Sequence, residues 1–321
     1  MNNTVLDILE SSFQSYISGQ EIADTLNMTR ANVWKEIQKL KDLGYEIDSI
    51  RNRGYALLSL NGRLSSNKMA SHFKKYTPVS LQVYDEVSST NTLAKEYADA
   101  NPLNPNALIV ADTQSQGRGR RGRSFYSPSQ SGIYMSILFT PELSLLDSQL
   151  ITIGAAVAVR RVLESTLKVE SQIKWLNDLY IGNRKICGIL TEGDIILESN
   201  TYKYLIVGIG LNLFEAQSVP KELTSIYGSV TDTQDYDRND IVTRIYESFM
   251  QILETLPSSR LDLIDEYKSY SNVLGKKVLI VGSEDEIYDA IDIDEHGYLV
   301  VQDNHGNQKH LHSGEISIKE L

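Results

Sequence analysis

Near the start of the chain apolar residues recur at helical spacing. Val5, Ile8, Leu9 and Phe13 form one stripe, which predicts an amphipathic helix from Thr4 to Tyr16. Ser18, followed three residues on by Glu21, is a capping box opening a short helix with Ile22, Ala23 and Leu26 turned inward. After a tight Asn27-Met28 turn, Thr29 caps a third helix that buries Val33, Ile37 and Leu40 and stops at Gly44. Tyr45 to Arg51 and Tyr55 to Leu60 then alternate as two strands joined through Asn52-Arg53-Gly54. Three helices followed by a hairpin is the winged helix-turn-helix plan, and Asn61-Gly62 breaks it off.

From Ser65 onward the pattern mixes both periods. Helices are expected at 66–76, 90–99, 146–166, 238–256 and 260–268. Strands are expected at 80–86, 107–112, 132–140, 171–174, 178–182, 185–194 and 203–211. Strands that follow strands, with helices interspersed, predict an α+β fold around a mixed sheet rather than a doubly wound parallel one. Short apolar runs at 278–281, 287–293, 298–302, 309–312 and 315–318 close the chain. Turn clusters at Gly282-Ser283, Asp294 to Gly297 and Asp303 to Gly306 separate them, as in a small β-barrel. Three domains are therefore expected: residues 1–62, 63–270 and 271–321. No internal repeat or low-complexity segment interrupts them.

Composition narrows the function classes. Thirty-one Lys and Arg against 42 Asp and Glu give a formal charge of −11, so the surface as a whole does not suit nucleic acid. The basic groups are nevertheless sorted. In the first unit they collect on the third helix (Arg30, Lys35, Lys39, with Thr29 and Asn32 at its start) and on the hairpin tip (Arg51, Arg53). Those are the elements of such a fold that meet DNA phosphates and bases. With so few positive charges, tight binding to an operator calls for two copies, hence a homodimer; a protein-binding use of the same fold is the other reading. The apolar run Ile151 to Val159 is too short to cross a bilayer and is closed by Arg160-Arg161, so no membrane partner is expected. No basic residue precedes Arg30, so no secretory or transit signal is expected either. The one cysteine, Cys187, excludes an intramolecular disulfide and suits a reducing cytoplasm. All five histidines avoid the middle of the chain, which argues against an imidazole base there.

The candidate chemistry lies in three strings. Gly117-Arg118-Gly119-Arg120-Arg121-Gly122-Arg123 puts four guanidinium groups in seven residues of an acidic protein. Its glycines permit close backbone approach, and the arginine forks match carboxylate and phosphate oxygens in pairs. It lacks the Lys-Ser/Thr ending of a Walker loop and does not open a helix; a solvated basic loop is the plainer reading. Lys174-Trp175-Leu176-Asn177-Asp178 and Arg184-Lys185-Ile186-Cys187-Gly188-Ile189-Leu190 flank a Gly182-Asn183 hairpin turn. Lys174, Asn177, Asp178 and Lys185 would then share a rim that stabilises developing negative charge. Asp178 suits a magnesium ion or an attacking amine, and ordinary surface charges are the alternative. Cys187 reads as core. Ser88-Ser89-Thr90-Asn91 either caps a helix or binds a small polar ligand. Gly208-Ile209-Gly210-Leu211-Asn212 either admits a ligand closely or marks a strand bulge.

Taken in order, these strings resemble the bacterial bifunctional biotin protein ligases that also repress the biotin operon, and the likeness covers essentially the whole chain. It implies a winged helix, a ligase domain like those of class II synthetases, and an SH3-like barrel ending in Gly314-Glu315-Ile316-Ser317-Ile318. It implies that biotin's carboxylate attacks the α-phosphate of ATP, giving biotinyl-5′-AMP, and that a lysine of a biotin carboxyl carrier protein then takes the biotinyl group. By the resemblance, Ser89, Thr90, Asn91, Gln114, Arg118, Gly119, Arg120, Lys185 and Gly188 hold biotin. Arg118, Arg120, Arg121, Arg123, Phe125, Lys174, Asn177, Asp178 and Asn212 hold ATP or the adenylate. Lys185 and Arg120 are the catalytic pair, with Mg²⁺ at Asp178. It implies further that the arginine loop is mobile until it folds over the adenylate, and that the adenylate favours dimerisation and operator binding. Two positions depart from the family pattern: Leu176 replaces a proline, loosening a turn, and Phe125 replaces a tryptophan that covers the adenine. A ligand-sensing regulator without ligase activity, and a lipoate or octanoate transferase of related fold, are the competing readings. Lys185 and the intact arginine loop argue against the first, and the winged helix, arginine string and terminal barrel against the second.

Overall fold

The computed structural model describes residues 4–60, 62–141, 143–196, 198–199, 201–233, 236–280, 286–312 and 316–318. Asn61, the Gly282-Ser283 turn, Gly314 and Glu315 therefore lie outside the described residues.

The first unit has the expected plan with one shorter helix. In α1 (Val5–Ser11) the Thr4 hydroxyl accepts from the Asp7 amide while Asp7 Oδ2 accepts from the Thr4 amide. The helix stops five residues before Tyr16 because the chain is wanted elsewhere. Gln14 adopts φ 58°, its amide bonds to the Leu57 carbonyl, and Ile17 bridges Tyr55. Tertiary pairing thus overrides the helical stripe. Ser18 and Thr29 cap α2 (Gly19–Thr25) and α3 (Arg30–Asp42), and Gly44 at φ 91° ends the latter. The wing is β1 (Glu46–Ile50) against β2 (Gly54–Ser59), antiparallel. Leu9, Ile22, Val33, Ile37 and Leu57 form a core of their own.

The central unit is a seven-stranded mixed sheet. In chain order come α4 (Ser66–His72), β3 (Leu81–Val87), α5 (Thr90–Ala100), β4 (Ala107–Gln114), β5 (Gly132–Phe139) and α6 (Ser148–Val162). They are followed by β6 (Gln172–Lys174), β7 (Asp178–Ile181), β8 (Arg184–Ile196), β9 (Thr201–Asn212) and α7 (Arg238–Ser269). The strand order is β3-β4-β5-β9-β8-β7-β6, parallel only between β3 and β4. Period-two alternation assigns the two faces. Leu108, Val110, Met135, Val207 and Ile209 pack with α6 and α7, whereas Ile109, Leu138, Tyr204 and Ile206 pack with Ala94 and Ala98 of α5. A wholly buried leucine such as Leu108 contributes about 1.5–3 kcal/mol. Two helix expectations change. The helix at 66 ends at His72, since the Lys74 and Lys75 amides turn to Glu247 of α7. The two helices expected at 238–256 and 260–268 form one element bent at Ser259, just after Pro257.

The last unit is a small antiparallel sheet of β10 (Lys277–Ile280), β11 (Ile287–Ile293), β12 (Leu299–Gln302), β13 (Gln308–Leu311) and β14 (Ile316–Ile318). Its order is β13-β12-β11-β10-β14. Among the described residues no helix is long and apolar enough to cross a membrane.

Two junctions matter for the site. Trp175 Nε1 donates to the Gly297 carbonyl at 3.0 Å, fixing the last unit to the segment before β7. Arg238, 1% exposed at the start of α7, pairs with Asp112 at 2.6 Å and donates to the carbonyls of Gly132 and Gly62. Asp112 in turn accepts from Ser129 and the Gln130 amide, so one buried ion pair joins the interdomain linker to the root of the arginine loop.

Candidate active site

Two rows of residues cross the sheet on its α5 face. Strand register aligns Lys174, Asp178, Gly188, Gly210 and Tyr134 in one row, and Leu190, Gly208 and Ser136 in the next. Adjacent glycines leave a depression that side chains from outside the sheet enter. A Cβ on Gly208 would stand 2.2 Å from Asn91 Oδ1, and one on Gly210 would stand 2.5 Å from the Phe125 ring. β8 and β9 pair without a shift here, so the glycines serve close approach and not a bulge.

The depression opens into a cavity of about 420 Å³, lined by all sixteen residues expected to hold biotin, ATP or the adenylate. At one end are small neutral polar groups. Gln114 Oε1 accepts from the Thr90 amide at 2.9 Å, and its Nε2 donates to Ser127 at 2.9 Å. Ser136 Oγ lies 2.7 Å from Thr90 Oγ1 and 2.6 Å from Asn91 Oδ1. Ser89 occupies the cap position of α5 without making a cap hydrogen bond. At the other end are the charges. Lys185 Nζ and Asp178 Oδ1 are 2.8 Å apart, Asn177 Nδ2 donates to the same oxygen, and Arg120 donates to Asn177 Oδ1 at 2.9 Å.

The arginine string forms a small hairpin over the cavity. Gly119 and Arg123 pair through backbone, Phe125 N donates to the Gly117 carbonyl, and Arg121 takes φ 55° at the tip. Gly119, Arg121 and Arg123 all face the cavity from it. Phe125 lies against Gly188 and Gly210 with its ring edge toward Tyr134, at 6.4 Å between centroids. The turn expected to be loosened by Leu176 is instead well held. Leu176 is buried, and its carbonyl accepts from the Tyr267 hydroxyl at 2.9 Å. Cys187 is wholly buried, which pushes its thiol far above the usual range and removes it as a nucleophile.

Several groups in or beside the cavity were missed by the sequence reading, the first of them just behind its wall. Glu192 binds Asn91 Nδ2 with one oxygen and Arg118 with the other, both at 2.8 Å. Alternation along β8 from Gly188 through Leu190 would have found it. Leu223, Ile226 and Tyr227 come from a loop without periodic pattern, and Ile316 comes from the last unit. Burial pushes the Tyr227 hydroxyl up to about 12, and neither it nor Asn212 Oδ1 has a hydrogen-bond partner among the described residues. Two buried polar atoms without partners in a cavity wall mark where a ligand's donors and acceptors belong. Asp178 is a lone carboxylate, and no cluster of three metal-ligating side chains occurs among the described residues. Such a site fits magnesium only as carried by nucleotide phosphates.

In the first unit Thr29, Arg30, Asn32, Lys35, Lys39, Arg51 and Arg53 are all exposed on α3 and the wing. Lys39 pairs with Glu36 at 2.6 Å, Arg53 lies over the Tyr16 ring, and Trp34, missed by the sequence reading, is 54% exposed on the same helix.

A glycine-floored, arginine-covered cavity lies on a mixed sheet joined to a winged helix and a small β unit, and the families these units match define the class: protein ligases joined to an HTH module. Family models match in the same order: an HTH domain over residues 2–56, the Biotin/lipoate A/B protein ligase family over 83–212, and a Biotin protein ligase C terminal domain over 273–319. The bifunctional ligase/repressor BirA of Bacillus subtilis is 30% identical over 326 positions, spanning 99% of this chain and 98% of that one. Its Escherichia coli counterpart is 26% identical over 94% and 92%. The Aquifex aeolicus biotin protein ligase, solved with biotin and ATP, superposes with a TM-score of 0.63 at 26% identity, over 76% of this chain and 100% of that one. This chain belongs to the bifunctional biotin protein ligase and repressor family.

Proposed function

We propose that this chain activates biotin with ATP to biotinyl-5′-AMP, transfers biotin to a lysine of a carboxylase carrier protein, and represses biotin genes when loaded with the adenylate. The observation that carries the reading is one cavity with neutral hydrogen-bonding groups at one end and the Arg120–Asn177–Asp178–Lys185 group at the other. Ser89, Thr90, Asn91 and Gln114 receive the ureido ring. Lys185 and Arg120 stand where carboxylate and α-phosphate meet and offset their repulsion. The carboxylate oxygen bonds to the α-phosphorus as the bond to pyrophosphate breaks; the nucleophile is already ionised, so no general base is needed. Asn212, Tyr227, Phe125 and Lys174 serve the nucleotide, and Arg118, Arg121 and Arg123 close with the loop over the adenylate, excluding water that would hydrolyse it. Asp178, together with the phosphates, would hold Mg²⁺, which would supply further charge neutralisation.

The regulatory half rests on two features. β7 pairs with β8 only over Arg184 to Gly188, which leaves Leu190 to Ile196, paired with β9 on one side, as an open edge on the other among the described residues. A second copy can add to that edge, and Glu192 connects it directly to Asn91 and Arg118. The dimer then presents two α3 helices and wings to operator DNA. The work divides among units 1–62, 63–270 and 271–321 of a cytoplasmic protein. Radiolabelled biotin with ATP, magnesium and a carrier domain, followed by acid precipitation, tests the ligase. A gel shift with and without biotin and ATP tests the repressor. No acid-stable label would refute the first, and adenylate-independent binding the second.

A further inference from the structure

A second cavity, of about 380 Å³, adjoins the first. Arg120, Arg121, Ile189 and Leu190 line both, so the two meet beneath the tip of the arginine hairpin, beside β8. It runs from the free edge of β8 toward the start of α6, and His312, which follows β13, stands at its rim. We propose that this cavity is the slot through which the acceptor lysine reaches the adenylate, with His312 receiving a proton from the incoming ammonium. The proposal rests on the ligase reading above and assigns its second substrate a place.

Transfer needs a third reactant at the acyl carbon after the first cavity is filled by the adenylate. The walls of the second suit a lysine side chain: Leu176, Ile189 and Leu190 offer apolar surface to four methylenes, and the hydroxyls of Thr152 and Thr191, 2.7 Å apart, lie alongside. The nucleophile must be the neutral amine. Arg120 and Arg121 are like charges to an ammonium, and together with desolvation they lower its pKa. The amine nitrogen bonds to the acyl carbon, the carbon–oxygen bond to phosphate breaks, and AMP leaves. Two protons are released from the ammonium: one goes to the departing phosphate and one to the His312 imidazole and on to water. Among the described residues, the charged and titratable groups around His312 are Arg120 and Arg121 across the cavity and Tyr298, whose ring centroid lies 4.1 Å away. Behind Tyr298 stands His296, held by Asp147, which Arg260 also binds.

The two half-reactions separate the possibilities. Thr191→Phe and Ser148→Phe fill the slot from β8 and from α6 without touching the first cavity. In the full-length protein, adenylate formation, read as pyrophosphate release, stays within twofold of wild type. Single-turnover transfer from bound adenylate falls about a hundredfold, both to a carrier domain and to n-butylamine. His312→Gln leaves adenylation alone and moves the acidic limb of the transfer rate. Wild-type transfer in both filled variants overturns the slot, and so does a loss confined to the carrier, which would make this a docking surface only. Parallel loss of adenylation would place the cavity in the first site. An unmoved acidic limb removes His312. A wild-type enzyme that forms no adenylate would instead sink the ligase reading itself.

Discussion

Replacing Gly208 by alanine separates the two ends of the cavity. The new methyl would stand 2.2 Å from Asn91 Oδ1, against roughly 3.2 Å or more for a tolerable contact, so the amide must move by about 1 Å. Asn91 is 4% exposed and held by Ser136 at 2.6 Å and Glu192 at 2.8 Å, so the move breaks both. At about 0.5–1.5 kcal/mol per hydrogen bond the loss is about 1–3 kcal/mol. With Asn91 binding the vitamin, that weakens biotin about 5- to 160-fold. Pyrophosphate release titrated with biotin should show the whole effect in the biotin KM, with the ATP KM within about twofold. The melting temperature should fall by about 2–10 °C. Asn91→Ala added to Gly208→Ala should cost nothing more, because the clashing group is gone. An unchanged biotin KM, or an ATP KM that rises equally, would refute the assignment of this end to biotin.

Three further outcomes follow. Lys185→Ala should slow adenylation by about 10²- to 10³-fold with the fold intact, and wild-type pyrophosphate release would remove the lysine from the site. Lys35→Ala and Arg53→Ala should each reduce the salt slope of operator binding by about one and leave biotin transfer unchanged; an unaltered slope would take those groups off the phosphates. Burial at the contact between α1 and α4 raises the Glu10 carboxyl from 4.5, against the lowering effect of Ser65 and Asn67. Its stabilising contribution is complete below 4.5 and is lost as the pH rises through the raised value. Glu10→Gln should therefore melt higher than wild type at pH 7 and not at pH 4, and identical melts at both would contradict the shift.

The strings that carry chemistry were legible because each places its polar groups within a few residues of a turn or a strand end. Strand alternation then sets the rows, so Lys174, Asp178, Gly188 and Gly210 converge without information from afar. Groups that depend on distant partners were not legible. The end of α1 is decided by Tyr55 and Leu57, and the end of α4 by Glu247, more than 170 residues away. His312 is a similar case. The absence of histidine from the middle of the chain argued against an imidazole near the site, yet the last unit brings one to the adjoining cavity.

The Arg238 guanidinium gives the boundary at residue 62 a meaning that domain counting misses. Its Nε and one Nη donate to the Gly62 carbonyl, so the ligase core relies on an acceptor that belongs to the tether of the DNA-binding module. Cutting there would strand donors of a nearly inaccessible cation, and the disturbance would pass through Asp112 to Ser129 and Gln130 beneath the arginine hairpin. Removing the gene-regulatory unit is thus expected to disturb the ligase site as well. Lineages that dispense with it would need another oxygen at that spot, or no arginine there at all.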